Sequence, residues 1–328
     1  MISSYDVIVV GAGPAGMAAA ISACGNGAGR VLIIERNAFL GGILKQCIHD
    51  GFGLVKWGES LTGPEYAARY ADMLKNTSAD VLLSAIVTEI TPSLEVFCVT
   101  RGGIRAFRAK SLILATGCRE RTRGMLMLPG TRPAGIYTAG VAQRLINVQN
   151  IRPGNRVVIL GSGDIGMIMA RRMTLEGMDV VCVLEKLPHL SGMMRNKNQC
   201  LDDYEIPLYL CRTVIDIRGG NRLERVIAAK VDAGGNVIHG TEYAIDCDTL
   251  ILSVGLIPEN ELAKACGIET NGISGGPKVN NRLETSINGV FSAGNSLHVH
   301  ELADYASFEA EEAGRFAAEY ALSGGFSQ

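Results

Sequence analysis

One turn occurs twice in this chain, and it limits the possible folds more than any other feature. The first copy opens with a short apolar run, Asp6-Val7-Ile8-Val9-Val10, which reads as a buried strand. Gly11-Ala12-Gly13-Pro14-Ala15-Gly16 follows, then a helix through Ala18 to Ala23, then a second strand, Val31-Leu32-Ile33-Ile34, that ends in Glu35. The second copy runs Val157-Val158-Ile159-Leu160, Gly161-Ser162-Gly163-Asp164-Ile165-Gly166, a helix to about Glu176, and a strand from Val180 to Leu184 that ends in Glu185. The copies align without a gap, down to Ala20 and Ala170, the small residues four places past the third glycine.

The spacing has a physical reason. Gly11 and Gly161 permit the tight turn out of the strand, Gly13 and Gly163 let backbone approach a pyrophosphate, and Gly16 and Gly166 let the helix pack close to the sheet. The amides at the helix N-terminus then hold the phosphate charge. Glu35 and Glu185 stand at the end of the second strand, where a carboxylate accepts from ribose hydroxyls.

The rest of the chain repeats this plan. Val96 to Thr100, the turn Arg101-Gly102-Gly103 and Ile104 to Ala109 read as a hairpin, and Ser111 to Ala115 then runs into Thr116-Gly117. In the second half, Val226 to Val231, the turn Asp232 to Asn236 and Val237 to Gly240 read likewise, and Thr249 to Ser253 runs into Val254-Gly255. One more strand, Gly289 to Gly294, precedes a helix with Ala306, Ala310, Ala313, Ala317 and Tyr320 at helical spacing. The economical fold is α/β, with two Rossmann-type three-layer dinucleotide-binding domains. Residues 119–256 form a domain inserted into one made of residues 1–118 and 257–328. The crossings fall near Gly117–Arg123 and Gly255–Asn260, and the charge run Arg119-Glu120-Arg121-Thr122-Arg123 reads as a solvated linker.

Composition narrows the function. The 328 residues are 47% hydrophobic and 20% charged, which excludes a disordered chain. With 31 Lys+Arg against 33 Asp+Glu, the net charge of −2 offers no footprint for nucleic acid or an anionic membrane. No apolar run approaches the roughly 18–20 residues of a membrane span. The nine cysteines form no C-x-x-C pair, which argues against a disulfide framework or a structural zinc site and suits a reducing cytoplasm.

These motifs resemble the two-dinucleotide-binding-domain flavoprotein oxidoreductases, the thioredoxin-reductase-like group. The likeness rests on Gly11 to Gly16 with Glu35, Ala115-Thr116-Gly117, Gly161 to Gly166 with Glu185, and Gly289 to Asn295. It implies FAD in the first domain, on Gly11, Gly13, Gly16 and Glu35. It implies a nicotinamide dinucleotide in the inserted domain, on Gly161, Gly163, Gly166 and Glu185. Gly41 and Gly42 would lie along the flavin ring, and Gly294-Asn295 would meet the ribityl chain and pyrophosphate. Pro14, Ala15, Arg36, Thr116, Gly117, Asp164, Ile165 and Gly255 complete the cofactor-binding set. Glu185 repels a 2′-phosphate and so favours NAD(H) over NADP(H), with Lys186 beside it pulling the other way.

Two departures from that pattern matter. Asn295 replaces the usual Asp, and the redox disulfide is missing: Gly135 to Gly140 holds no cysteine, and only Cys47 follows Gly41-Gly42. Dithiol reduction therefore loses its chemistry. Gly41 to Leu54 resembles the flavoprotein subunit that accompanies bacterial glycerol-3-phosphate dehydrogenase-like proteins. Ala115 to Arg121 and Thr138 to Gln143 resemble subunits of multi-component amino-acid and opine dehydrogenases. The resemblance implies hydride exchange between NAD(H) and flavin, with electrons passed to or from a protein redox partner; a homodimer is the default expectation for assembly, with a hetero-oligomer as the alternative.

Two rivals stand beside this reading: a self-contained NADH oxidase or peroxidase using Cys47, and a non-catalytic assembly subunit with structural dinucleotide sites. Cys47 would act as a redox thiol and His49 as a proton donor. His298 and His300, just before the last helix, would serve the flavin. No metal is expected, because the sequence names no further ligand for that histidine pair. Thr62-Gly63-Pro64-Glu65 reads as a capping box, and Trp57, the single tryptophan, as a core anchor.

Overall fold

A computed structural model describes residues 2–324. The elements run in chain order from β1 (Ser3–Val10), α1 (Pro14–Gly25) and β2 (Val31–Ile34) to α2 (Gly63–Lys75). Next come β3 (Asp80–Leu82), β4 (Ile86–Ile90), β5 (Glu95–Thr100), β6 (Gly103–Leu114) and β7 (Cys118–Glu120). The middle holds β8 (Ile136–Thr138), α3 (Ala139–Asn147), β9 (Arg156–Leu160), α4 (Asp164–Leu175), β10 (Asp179–Leu184) and α5 (Met194–Cys200). Then follow β11 (Leu208–Tyr209), β12 (Arg212–Gly219), β13 (Leu223–Lys230), β14 (Tyr243–Asp246) and β15 (Thr249–Leu252). The chain closes with β16 (Leu256–Pro258), α6 (Glu261–Ala265), β17 (Val290–Ser292) and α7 (Ala303–Ser323).

The chain divides into two compact units, Met1–Arg119 with Ile257–Gln328, and Glu120–Leu256. In the first, seven strands form one sheet in the order β3-β2-β1-β6-β5-β4, with β17 also on β6. The β1–β2, β1–β6 and β6–β17 pairs are parallel, and β4, β5 and β6 form an antiparallel meander. Side chains alternate across the sheet. Val7 and Val9 pack under α1, α2 and α7, while Ile8 and Val10 face a second core built from β4–β6 and α6. With both faces covered, β1 reads as an unbroken apolar run. Helix α1 is buried nearly all round, which is why its interior is almost entirely alanine. Ala306, Ala310, Ala313 and Ala317 are all buried along α7. The Thr62–Glu65 capping box forms, and Trp57 packs on Tyr66 and Tyr70 at ring separations of 4.8 and 5.4 Å.

The second unit holds a five-stranded parallel sheet, β11-β10-β9-β15-β8, with α3, α4 and α5 on one face. An antiparallel sheet, β12-β13-β14, covers the other. Here the structure corrects the sequence reading. Asp232 Oδ1 accepts from the amides of Gly234 and Asn236 and closes a turn, but Val237 makes only a bridge to Val231. The real partners of β13 are Arg212–Gly219 and Tyr243–Asp246. In the first unit, β6 is likewise one strand where the sequence suggested two, because β1 pairs along it from Phe107 to Leu114. The charge run is not merely solvated. Arg119 pairs with Glu259 at 3.0 Å and with Glu261, Glu120 accepts from Gly140 N at 2.8 Å, and Arg123 donates to the carbonyls of Leu128, Pro129 and Gly130.

The crossing of α7 over α1 is tight. A Cβ at Gly314 would lie 2.2 Å from Ala19 O, while one at Gly25 would meet nothing within 4 Å. Gly314→Ala is expected to cost about 1–3 kcal/mol through overpacking. Gly25→Ala should be neutral or stabilising by up to about 1 kcal/mol. Denaturant unfolding of the two variants checks this.

Candidate functional site

The two copies of the turn have the same geometry. Gly11 and Gly161 both adopt φ +104°, and a Cβ there would fall 2.4 Å from Ala115 O and 2.0 Å from Ser253 O respectively. Gly16 and Gly166 press on the carbonyl oxygens of Gly11 and Gly161, with Cβ distances of 1.8 and 2.6 Å. These four glycines are demanded by the protein's own packing. Gly13 and Gly163 differ: a Cβ meets nothing within 4 Å at Gly13 and only Ser253 at 3.8 Å or more at Gly163. Each precedes the first residue of its helix, and neither helix start carries a side-chain cap. An open, uncapped cradle at a helix N-terminus fits a pyrophosphate.

The carboxylates complete each copy. Glu35, buried, accepts from Ala12 N at 2.8 Å, Asn37 N at 2.8 Å and Asn37 Nδ2 at 2.9 Å. Glu185, also buried, accepts from Ser162 N at 2.9 Å, Ser162 Oγ at 2.6 Å, Leu187 N at 2.9 Å and Ser191 Oγ at 2.8 Å. Burial works to raise the Glu185 pKa, but the donors from Leu187, Ser162 and Ser191 outweigh it and hold the carboxyl below its usual range. Lys186 lies with Cε and Nζ against the Gly235 turn, 2.8 and 3.1 Å from where a Cβ there would sit.

In the first unit, the remaining residues gather at the carboxyl ends of β1, β2, β6 and β17, where ligands of open α/β sheets bind. Gly41 N donates to Ala12 O at 2.8 Å, a Cβ at Gly42 would lie 3.0 Å from Gly13 Cα, and one at Gly294 would lie 2.6 Å from Ala15 Cβ. Pro14 opens α1, Thr116 Oγ1 donates to Glu259 O at 2.7 Å, Gly117 has φ +76°, and Arg36 is exposed. Asn295 Oδ1 accepts from His300 N at 3.0 Å. In the second unit, Ile165 packs into the core under α4, and Gly255 has φ +102°. Asp164 Oδ1 accepts from Met193 N at 2.8 Å and Asn196 Nδ2 at 2.7 Å, so this carboxylate holds the following segment down.

That segment is the feature sequence reasoning missed. Gly192 N donates to Ser162 O at 3.0 Å and folds over the second turn as Gly41 and Gly42 fold over the first. The repeat offset of 150 positions (161 − 11, 185 − 35) extends to Gly192 and Gly42 (192 − 42), which was the available signal. Ser191 in place of Gly41 hides it.

Cys47 and His49 lie on the segment after Gly42. Cys47 is buried, its Sγ is 3.4 Å from Ile43 O, and burial pushes its thiol up to about 12. Burial of this kind works against the thiolate that the oxidase or peroxidase reading needs. His49 is half-buried, its ring 5.2 Å from Phe52. His298 and His300 do come together, with ring centroids 4.2 Å apart, and both face Glu309, a residue the sequence did not single out.

Two strand–turn–helix cradles, each closed by a buried carboxylate, are the arrangement that opens dinucleotide-binding α/β units in general. The chain belongs to the pyridine nucleotide-disulphide oxidoreductase family, matched over residues 5–310. With that family goes the enzyme class, an FAD-dependent NAD(P)H oxidoreductase. The chain is 26% identical to an opine oxidase subunit of Rhizobium meliloti (strain 1021), covering 90% of this chain and 67% of that protein. It is 28% identical to hydrogen cyanide synthase subunit HcnB of Pseudomonas protegens, covering 96% and 70%. Thioredoxin reductase of T. acidophilum shares the fold, with a TM-score of 0.79 at 23% identity over 96% of this chain and 98% of that one. Among the described residues, no helix is long and apolar enough to cross a membrane.

The thiol finding gives a direct test. In the native protein at pH 8, Cys47 should resist alkylation by iodoacetamide for hours, read by peptide mass spectrometry. Labelling within minutes would contradict its burial.

Proposed function

We propose that this chain exchanges hydride between NAD(H), held by the second unit, and FAD, held by the first, and passes electrons to or from a partner protein. One observation carries the reading: both cradles are open at the second glycine and closed by a carboxylate, while none of the nine cysteines is disulfide-bonded and no C-x-x-C pair occurs. FAD supplies the two-electron chemistry when bound; the chain supplies placement and electrostatics.

The division of labour follows from the residues. Gly13, Pro14 and Ala15 present the N-terminus of α1 to one pyrophosphate, and Gly163, Asp164 and Ile165 present that of α4 to the other. Glu35 and Glu185 would accept from ribose hydroxyls, and Gly41-Gly42, Thr116-Gly117 and Gly294-Asn295 would border the first site. The carboxylate of Glu185, kept ionised by its donors, repels a 2′-phosphate. The cation beside it lies against Gly235. Together these favour NADH over NADPH. A protein partner is supported by the two relatives described above, both of which are named as subunits of larger enzymes. The likeness of Gly41 to Leu54 points to a glycerol-3-phosphate dehydrogenase-like flavoenzyme. Cysteines outside any disulfide suit a cytoplasmic setting.

The two sites separate experimentally, because a Cβ at Gly13 or Gly163 strikes no protein backbone within 3.5 Å. Gly163→Ala should keep its flavin and melting temperature yet lose at least about tenfold in kcat/KM for NADH with a dye acceptor, a loss of about 1.4 kcal/mol. Gly13→Ala should fold but purify with less flavin. The parent should prefer NADH to NADPH by at least about tenfold. Equal use of the two nucleotides would reject the Glu185 assignment, and a Gly163→Ala variant with parental kinetics would reject the second site.

A further inference from the structure

We propose that His298, His300 and Glu309 form a binding site for a divalent transition-metal ion of the zinc type, next to the Gly294-Asn295 turn that borders the first cradle. Each offers one ligand atom, and the three atoms lie within 4.8 Å of one another. His298 Nδ1 is 3.5 Å from Glu309 Oε2, and His300 Nε2 is 3.1 Å from Glu309 Oε1. Zinc binds imidazole nitrogen and carboxylate oxygen at about 2.0–2.2 Å, so neighbouring ligands of a tetrahedral ion stand about 3.3–3.5 Å apart. The two observed separations bracket that edge. The two contacts use different oxygens of Glu309 and the three ligand atoms span up to 4.8 Å, so an ion binds as the histidines draw together around it.

The chain builds this arrangement from two elements. His298 and His300 flank Val299 in an irregular segment after the Gly294–Ser296 turn, and Glu309 reaches back from α7. Spacing of two puts both imidazoles on one side of the segment. The pair's backbone is fixed by His300 N donating to Asn295 Oδ1 at 3.0 Å. Glu309 is fixed by Gly294 N, which donates to its Oε1 at 2.7 Å. Support of this outer kind orients metal ligands in general.

Exposure decides the kind of site. The side chains of His300 and Glu309 are 10% and 16% exposed, while that of His298 is 51% exposed. Two ligands are held inside, and the third stands at a solvent-open rim. Three protein ligands with one open position suit zinc with a water molecule better than a closed structural site. Two imidazoles and one carboxylate also disfavour magnesium or calcium, which take oxygen. The competing occupant is a proton: the same three residues form a plain ion pair when an imidazole is charged.

The experiment uses the purified flavoprotein after chelator treatment and dialysis, with Zn²⁺ alone as the probe. Bound zinc is counted by elemental analysis after equilibrium dialysis, against a chromophoric chelator as competitor. The expected result is about one zinc per chain, with affinity at least about tenfold weaker in His298→Ala and in Glu309→Gln. His298→Ala changes an exposed side chain, and Glu309→Gln keeps an acceptor for Gly294 N. Melting temperature serves as the check on folding. Absence of stoichiometric zinc, or zinc binding unchanged in both variants, overturns the site and leaves the cluster as an ion pair.

Discussion

A carboxylate meeting an amide at the tip of a strand is the contact on which the rest depends. Glu35 accepts from Ala12 N at 2.8 Å, and Glu185 accepts from Ser162 N at 2.9 Å. Each ties the second strand of its unit to the turn after the first. Hydrogen bonds to charged groups contribute about 1.5–3 kcal/mol each. With that bond made, the first glycine swings to φ +104° under a carbonyl of the crossing strand, and the third brings the helix down onto it. The helix N-terminus is then left uncapped beside an open second glycine. The fold and the proposed binding cradles are thus one construction.

The units use the same device with different margins. In the first, Asn37 supplies the additional donors to Glu35, and a glycine pair folds over the turn. In the second, Ser162 and Ser191 add hydroxyl donors to Glu185, and Gly192 takes the place of that pair. The added donors hold the second carboxylate below its usual range, the property on which the proposed nucleotide preference rests. The Asp164 carboxylate, where the first unit has Pro14, is spent on Met193 and Asn196, which keeps the covering segment in place.

Much of this was legible in the sequence, because the first and third glycines of each turn answer to backbone clashes that no other residue tolerates. Local periodicity exposed β1, α1, β9, α4 and the alanine stripe of α7. What escaped depends on distant partners. Gly192 was hidden by Ser191 standing where the first copy has Gly41. Val237 to Gly240 has strand composition but turns away after one bridge, and Tyr243–Asp246 takes its place on β13. Cys47 looked reactive from its position after Gly41-Gly42, and only burial shows its thiol to be pushed up to about 12. Glu309 lies nine residues beyond His300 on a helix, a spacing that reveals nothing until α7 is folded.

The chain therefore has the family's α/β architecture with no C-x-x-C pair, and the proposed electron exchange with another protein rests on that combination. The most direct test of that account is anaerobic stopped-flow mixing of the purified yellow protein with NADH, following flavin absorbance. The account predicts a rapid, saturable bleaching of one flavin per chain, with NADPH much slower. Retained flavin that neither nucleotide bleaches, or a protein that purifies without flavin, would contradict it.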